Sequence, residues 1–130
     1  MKLMVAFDGS NVAKEAVSLA VQHARAFGAR IELVWSLFKG TENEREEIDA
    51  AETALEYRRK AVEEAEVPCE THLLIRGRSP GEDLTDFARD QDMSMIYIGV
   101  RRRSKVGKLV FGSTSQYVIL NAPCPVVTIR

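Results

Sequence analysis

The sequence predicts an α/β protein: a single domain, spanning residues 1–130, with an open parallel five-stranded sheet and helices on both faces. Three observations predict it. Short runs rich in apolar and β-branched residues alternate along the chain with longer segments of helical periodicity. The apolar runs are continuous rather than alternating, the pattern of strands covered on both faces. The chain has 130 residues, 45% hydrophobic and 28% charged, which is the length of one domain with an ordinary globular composition.

Each element has its own signal. Residues 2–7 (KLMVAF) form the first strand and run into the turn cluster Asp8-Gly9-Ser10, where Ser10 is placed to cap a helix. From residue 11 to 27, Ala13, Val17, Ala20, Ala24 and Phe27 recur every three or four positions and give a helix one apolar face. Gly28 ends that helix. Residues 30–37 are the second strand, 38–43 a polar connection, and 44–66 a charged helix with Ile48, Ala51, Leu55, Val62 and Ala65 inward. Pro68 ends it, and 69–75 (CETHLLI) is the third strand. Ser79-Pro80-Gly81-Glu82 reads as a capping box with proline at the first helical position, and Leu84, Phe87 and Ala88 face inward behind it. Residues 94–98 (SMIYI) form the fourth strand, ending at Gly99, and a basic loop follows. Ser113-Thr114-Ser115-Gln116 reads as a second capping box, opening a helix through Leu120. Asn121-Ala122-Pro123 breaks it, and 125–130 (PVVTIR) is the last strand. Right-handed crossovers are the expected connections.

Several function classes are set aside at this level. No apolar run approaches the roughly 20 residues of a membrane span. The opening MKLMVAFDGS meets Asp8 too soon for a signal peptide, so the chain reads as cytoplasmic with no membrane partner. Cys69 and Cys124 lie far apart with no Cys-x-x-Cys and no Cys/His cluster, and read as two reduced thiols. His23 and His72 fall within a helix and a strand, away from any nucleophile, and read as structural or surface residues.

Charge is segregated. Residues 93–130 contain no Asp or Glu and carry +6, from Arg101, Arg102, Arg103, Lys105, Lys108 and Arg130, while residues 1–92 carry −7. A basic end of this kind suits an anionic ligand. The overall net charge of −1 speaks against a general nucleic-acid binder. In an open parallel sheet, ligands bind outside the carboxyl ends of the strands. Two such ends carry binding chemistry here. The first offers Asp8-Gly9-Ser10, and the fourth offers Gly99, the basic loop and then Gly112-Ser113 at a helix start, where backbone N–H groups and the helix dipole favour anions. The P-loop and Gly-x-Gly-x-x-Gly signatures are both absent, since Gly107-Lys108 is followed by Leu109.

Taken together, the Asp-Gly-Ser end of the opening strand, the order of elements and the loop before the last helix resemble the universal stress protein family over the whole chain. The nucleotide-binding branch of that family carries Gly, two residues, Gly, nine residues, Gly, then Ser or Thr. Gly99, Gly112 and Ser113 match this spacing, and Arg102 stands at the second glycine position. That arginine either obstructs backbone approach or supplies a guanidinium to phosphates. The resemblance implies a Rossmann-like strand order 3-2-1-4-5, an ATP (or AMP/ADP) site, with magnesium as a companion ion, and homodimers. Its contact positions fall on Asp8 at the ribose or base, Ser36 beside the adenine, Ala6 and Ile98 flanking the base, and Gly99, Gly112, Ser113 and Thr114 at phosphates and ribose. Arg102 and Arg103 would close over the phosphates.

The expected function is therefore an ATP-binding regulator of the universal stress type, acting as a homodimer through an unknown protein partner. The alternatives are a non-nucleotide member of the fold serving as a protein or RNA interaction module, and a slow nucleotide hydrolase or autophosphorylating protein. Asp8 is the one carboxylate placed at the site, which leaves no acid/base pair for fast catalysis. The dimer is expected on residues 126–130, β-branched and carrying Arg130 as their single charge.

Overall fold

The computed structural model describes residues 1–38, 44–100 and 111–130. Among these residues the order is β1 (Lys2–Ala6), α1 (Asn11–Phe27), β2 (Arg30–Ser36), α2 (Glu44–Glu64), β3 (Cys69–Leu74), α3 (Pro80–Asp90), β4 (Met95–Gly99), α4 (Ser113–Asn121) and β5 (Val126–Ile129). The strands form one parallel sheet in the order β3-β2-β1-β4-β5. Among the described residues no helix is long and apolar enough to cross a membrane.

The alternation of side chains in the strands builds two cores. Leu3, Val5, Ile31, Leu33 and Tyr97 point to the face covered by α1 and α2. Met4, Ala6, Val34, Ile96 and Ile98 point to the other, covered by Leu84, Phe87 and Ala88 of α3 and Val118 of α4. Cys69 packs in the first core and Cys124 against the second, so the sheet separates the two free thiols. Burial pushes the Cys69 thiol up to about 12, which keeps it protonated and unreactive at neutral pH.

Local chemistry explains most element boundaries. Ser10 caps α1 by accepting the Ala13 N–H at 3.2 Å. Gly28 closes α1 in the left-handed region (φ 68°) and donates its N–H to Ala24 O. Four details depart from the sequence expectation. Phe27 is exposed, because the buried stripe of α1 ends at Ala24 and the Phe27 ring instead packs on His23 at 5.6 Å. Helix α2 stops at Glu64, with Glu66 taking a positive φ, and of its stripe Ile48 and Ala65 are only half-buried. Ser79 is the N-cap of α3 and Pro80 opens the helix, but the serine hydroxyl makes no capping bond. Helix α4 is capped by Gly112, which has no side chain, so Ser113 is the first helical residue. Ser115 then turns its hydroxyl back to donate to Gly112 O at 3.1 Å.

Two close approaches fix how the helices sit. A Cβ on Gly81 would lie 2.8 Å from Cβ of Tyr117, so α3 and α4 meet where α3 has no side chain. A Cβ on Gly99 would lie 2.6 Å from Cγ1 of Val12, in the first turn of α1. The glycine at the end of β4 is therefore required by packing whether or not a ligand is bound. Valine has little χ1 freedom in a helix and cannot swing away. Gly99→Ala should lower stability by about 1–3 kcal/mol through overpacking. Val12→Ala in the same background should recover most of that loss. Urea unfolding of both variants checks it, and an unaffected Gly99→Ala midpoint would contradict this packing account.

Candidate functional site

The strand order makes β1 and β4 neighbours whose following helices leave on opposite faces, α1 on one and α4 on the other. Their carboxyl ends therefore part, and such a switch point is where open α/β sheets hold ligands. A cavity of about 280 Å³ opens there.

Its two sides differ chemically. Toward β2 the wall is apolar: Ala6, Val34, Leu84 and Ile98, with Ser36 as a polar insert. Ala6 lies opposite both Val34 and Ile98 in the sheet register, so three neighbouring strands present one flat apolar floor. Toward β4 and α4 the wall is Gly99, Gly112, Ser113 and Thr114, the end of a strand facing the start of a helix. With glycine at the cap position, no side chain of that residue competes for the first-turn N–H groups of α4. Gly112 has φ −69°, so it is not there to supply a positive φ. Asp8 also lines the cavity, and its Oδ1 accepts the Ser10 N–H at 3.0 Å in the turn that starts α1. The structure thus brings Ala6, Asp8, Ser36, Ile98, Gly99, Gly112, Ser113 and Thr114 around one cavity. Arg102 and Arg103, with the rest of segment 101–110, lie outside the described residues.

Behind Ser36 stands a group that sequence reasoning missed. Asp83 of α3 is fully buried. Its Oδ1 is 2.5 Å from Nε of Arg76, whose Nη2 also donates to the Asp83 carbonyl at 3.2 Å. Its Oδ2 accepts the Ser36 hydroxyl at 2.9 Å. The available signal was its position: Asp83 lies four residues before Phe87, on the inward stripe of α3.

A second polar cluster lies on the same side of the sheet. Glu32 of β2 is buried and lies opposite Glu70 in the β2–β3 register. Arg30 bridges the two carboxylates, at 3.1 Å to Glu32 and 2.7 Å to Glu70. His72 Nε2 lies 3.1 Å from the other oxygen of Glu32. Glu32, Glu70 and His72 gather the donor types of a metal site, but the Arg30 guanidinium already supplies the cation between the carboxylates. The cluster is an ion-pair network holding β2 to β3. His23 is also structural: its Nδ1 is 2.6 Å from the hydroxyl of the fully buried Tyr97.

Comparison with known proteins agrees with this architecture. The sequence profile described as the universal stress protein family matches residues 1–130. A universal stress protein of Thermus aquaticus is 35% identical, covering 98% of this chain and 97% of its own. The structure of a universal stress protein from Archaeoglobus fulgidus superposes with a TM-score of 0.91 at 37% identity, covering 100% of this chain and 98% of that one. The structure of the universal stress protein from Archaeoglobus fulgidus in complex with dAMP superposes with a TM-score of 0.84 at 34% identity, again over 100% and 98%. With matched strand order, full-length coverage and a profile spanning every residue, this chain belongs to the universal stress protein family.

Proposed function

We propose that this chain binds an adenine nucleotide in the crevice between β1 and β4 and works as a ligand-dependent regulator rather than a fast enzyme. The observation that carries the reading is the polarity of the cavity: an apolar floor on the β2 side and a glycine-capped helix start on the other. A purine fits the first and a phosphate the second. The base would lie between Ala6 and Ile98 beside Ser36, the ribose near Asp8, and the first phosphate against Gly99, Gly112, Ser113 and Thr114. A relative at 34% identity in complex with dAMP supports this placement. Arg102 and Arg103 belong in the same proposal to the outer phosphates of ATP, with magnesium as their companion ion.

Calorimetry with AMP, and with ATP plus magnesium, tests the reading. The expected affinity is micromolar, on the order of −8 kcal/mol. ATP should bind more tightly than AMP and lose that advantage as salt is raised, because the added phosphates meet charge. No heat and no thermal shift at millimolar nucleotide would reject the reading in favour of an interaction module.

We also propose a homodimer through β5. This strand is an edge of the sheet. Pro125 O and Ile129 O accept from Ile96 N and Val100 N of the β4 side. The parallel ladder alternates, so the main-chain groups of Val126 and Thr128 point away from β4, toward the free edge. A second β5 pairing antiparallel would satisfy them and cover the half-buried Val126, Val127 and Ile129. Thr128→Pro removes an N–H from the free side and spares the ladder to β4. Sedimentation at tens of micromolar should give a dimer for the unaltered chain and a monomer for this variant. A 14.5 kDa species for the unaltered chain would refute the dimer, and a dimeric variant would refute this interface.

A further inference from the structure

We infer that Asp83, which does not itself line the cavity, sets the base preference of the site by making Ser36 a hydrogen-bond acceptor only. The site then selects a purine carrying an exocyclic amino group at the six position over its keto counterpart. This inference rests on the nucleotide reading above and adds the group that chooses between bases.

The argument follows one hydrogen. A serine hydroxyl has a single hydrogen to donate and two lone pairs to accept with. Ser36 Oγ lies 2.9 Å from Oδ2 of Asp83. Asp83 is fully buried and its other oxygen faces the Arg76 guanidinium at 2.5 Å. A carboxylate held against a guanidinium has no hydrogen to give, so the bond to Ser36 runs one way, from the hydroxyl to Asp83. What Ser36 presents to the cavity is lone pairs. The surrounding side chains Ala6, Val34, Leu84 and Ile98 carry no polar atom that could offset this.

An amino group arriving at Ser36 meets a ready acceptor. A keto oxygen meets lone pairs and stays unpaired in a desolvated place, which is how sites built around a directed hydrogen bond reject analogues. Arg76 makes the arrangement directional as well. In an Asp83→Asn variant, the guanidinium still demands an acceptor, so the amide oxygen faces Arg76 and the amide nitrogen faces Ser36. Ser36 Oγ then accepts from the amide, and its own hydrogen is released toward the base.

The test compares AMP with IMP by calorimetry on the full chain. The unaltered chain should bind AMP about 10–100-fold more tightly than IMP. Ser36→Ala, which removes the hydroxyl, should bring the two within about threefold. Asp83→Asn should invert the preference, a result that loss of packing alone would not produce, and a folded Asp83→Asn variant that keeps the AMP preference overturns the role given to Asp83. Should Asp83→Asn fail to fold, as read by circular dichroism, Ser36→Ala decides the matter. Equal affinity for AMP and IMP in the unaltered chain overturns this inference and leaves the nucleotide reading standing. A Ser36→Ala variant that keeps the full AMP preference overturns it too. If neither nucleotide binds, the nucleotide reading falls and this inference with it.

Discussion

The pairing of β1 with β4 is the constraint on which the rest of the molecule depends. β1 lies at the centre of the sheet and is buried on both faces, with Leu3 and Val5 in one core and Met4 and Ala6 in the other. A slip of one residue against β4 would exchange those two sets, so the register Met4↔Ile96, Val5↔Tyr97, Ala6↔Ile98 is fixed by packing. Because β1 feeds a helix on one face and β4 a helix on the other, their carboxyl ends must diverge. The crevice follows from this topology before any ligand chemistry is considered. Gly99 then sets its depth, since only a residue without Cβ lets the end of β4 lie against Val12.

Within that crevice, the two sides owe their chemistry to different parts of the fold. The apolar floor is a property of the sheet, three strands presenting Val34, Ala6 and Ile98 at one level. The other side is a property of α4, whose start is capped by a residue with no side chain. Ser36 and Asp83 join the two remaining elements, tying the end of β2 to the first turn of α3. A buried carboxylate in that place is tolerable because Arg76 and Ser36 together satisfy both its oxygens. The Arg30, Glu32, Glu70 and His72 network solves the same problem further along β2 and β3, away from the cavity lining.

Much of this was legible in the sequence, for identifiable reasons. Continuous apolar runs, the Ser10 cap and Gly28 are local signals, and local signals gave the elements and their order. Of the cavity residues, Gly99, Gly112 and Ser113 were legible through motif spacing at a strand end and a helix start, and Ala6, Ser36 and Ile98 only through what the family resemblance implies. What the sequence hid is non-local. Glu32 looks like a partner for Arg30 at the start of an otherwise apolar strand until the β2–β3 register sets it beside Glu70. Asp83 looks like an ordinary acid in a first helical turn until folding brings Ser36, 47 positions away, within hydrogen-bonding reach. Phe27 and Ser113 were misplaced by one turn and one residue respectively, because periodicity and capping patterns do not say where a neighbouring element stops covering a helix.

The most direct test of the central claim, that the crevice between β1 and β4 is the nucleotide site, is methyl-resolved NMR of the full chain titrated with AMP. The account predicts that the methyls of Ala6, Val34, Leu84 and Ile98 shift together, through the ring current of the base, along with the backbone amides of Ser113 and Thr114. The methyls of Ala51, Leu55 and Val62, in the core on the other side of the sheet, should stay in place. Shifts centred instead on the groove between α1 and α2, around Phe7, Lys14 and Tyr57, would contradict the account.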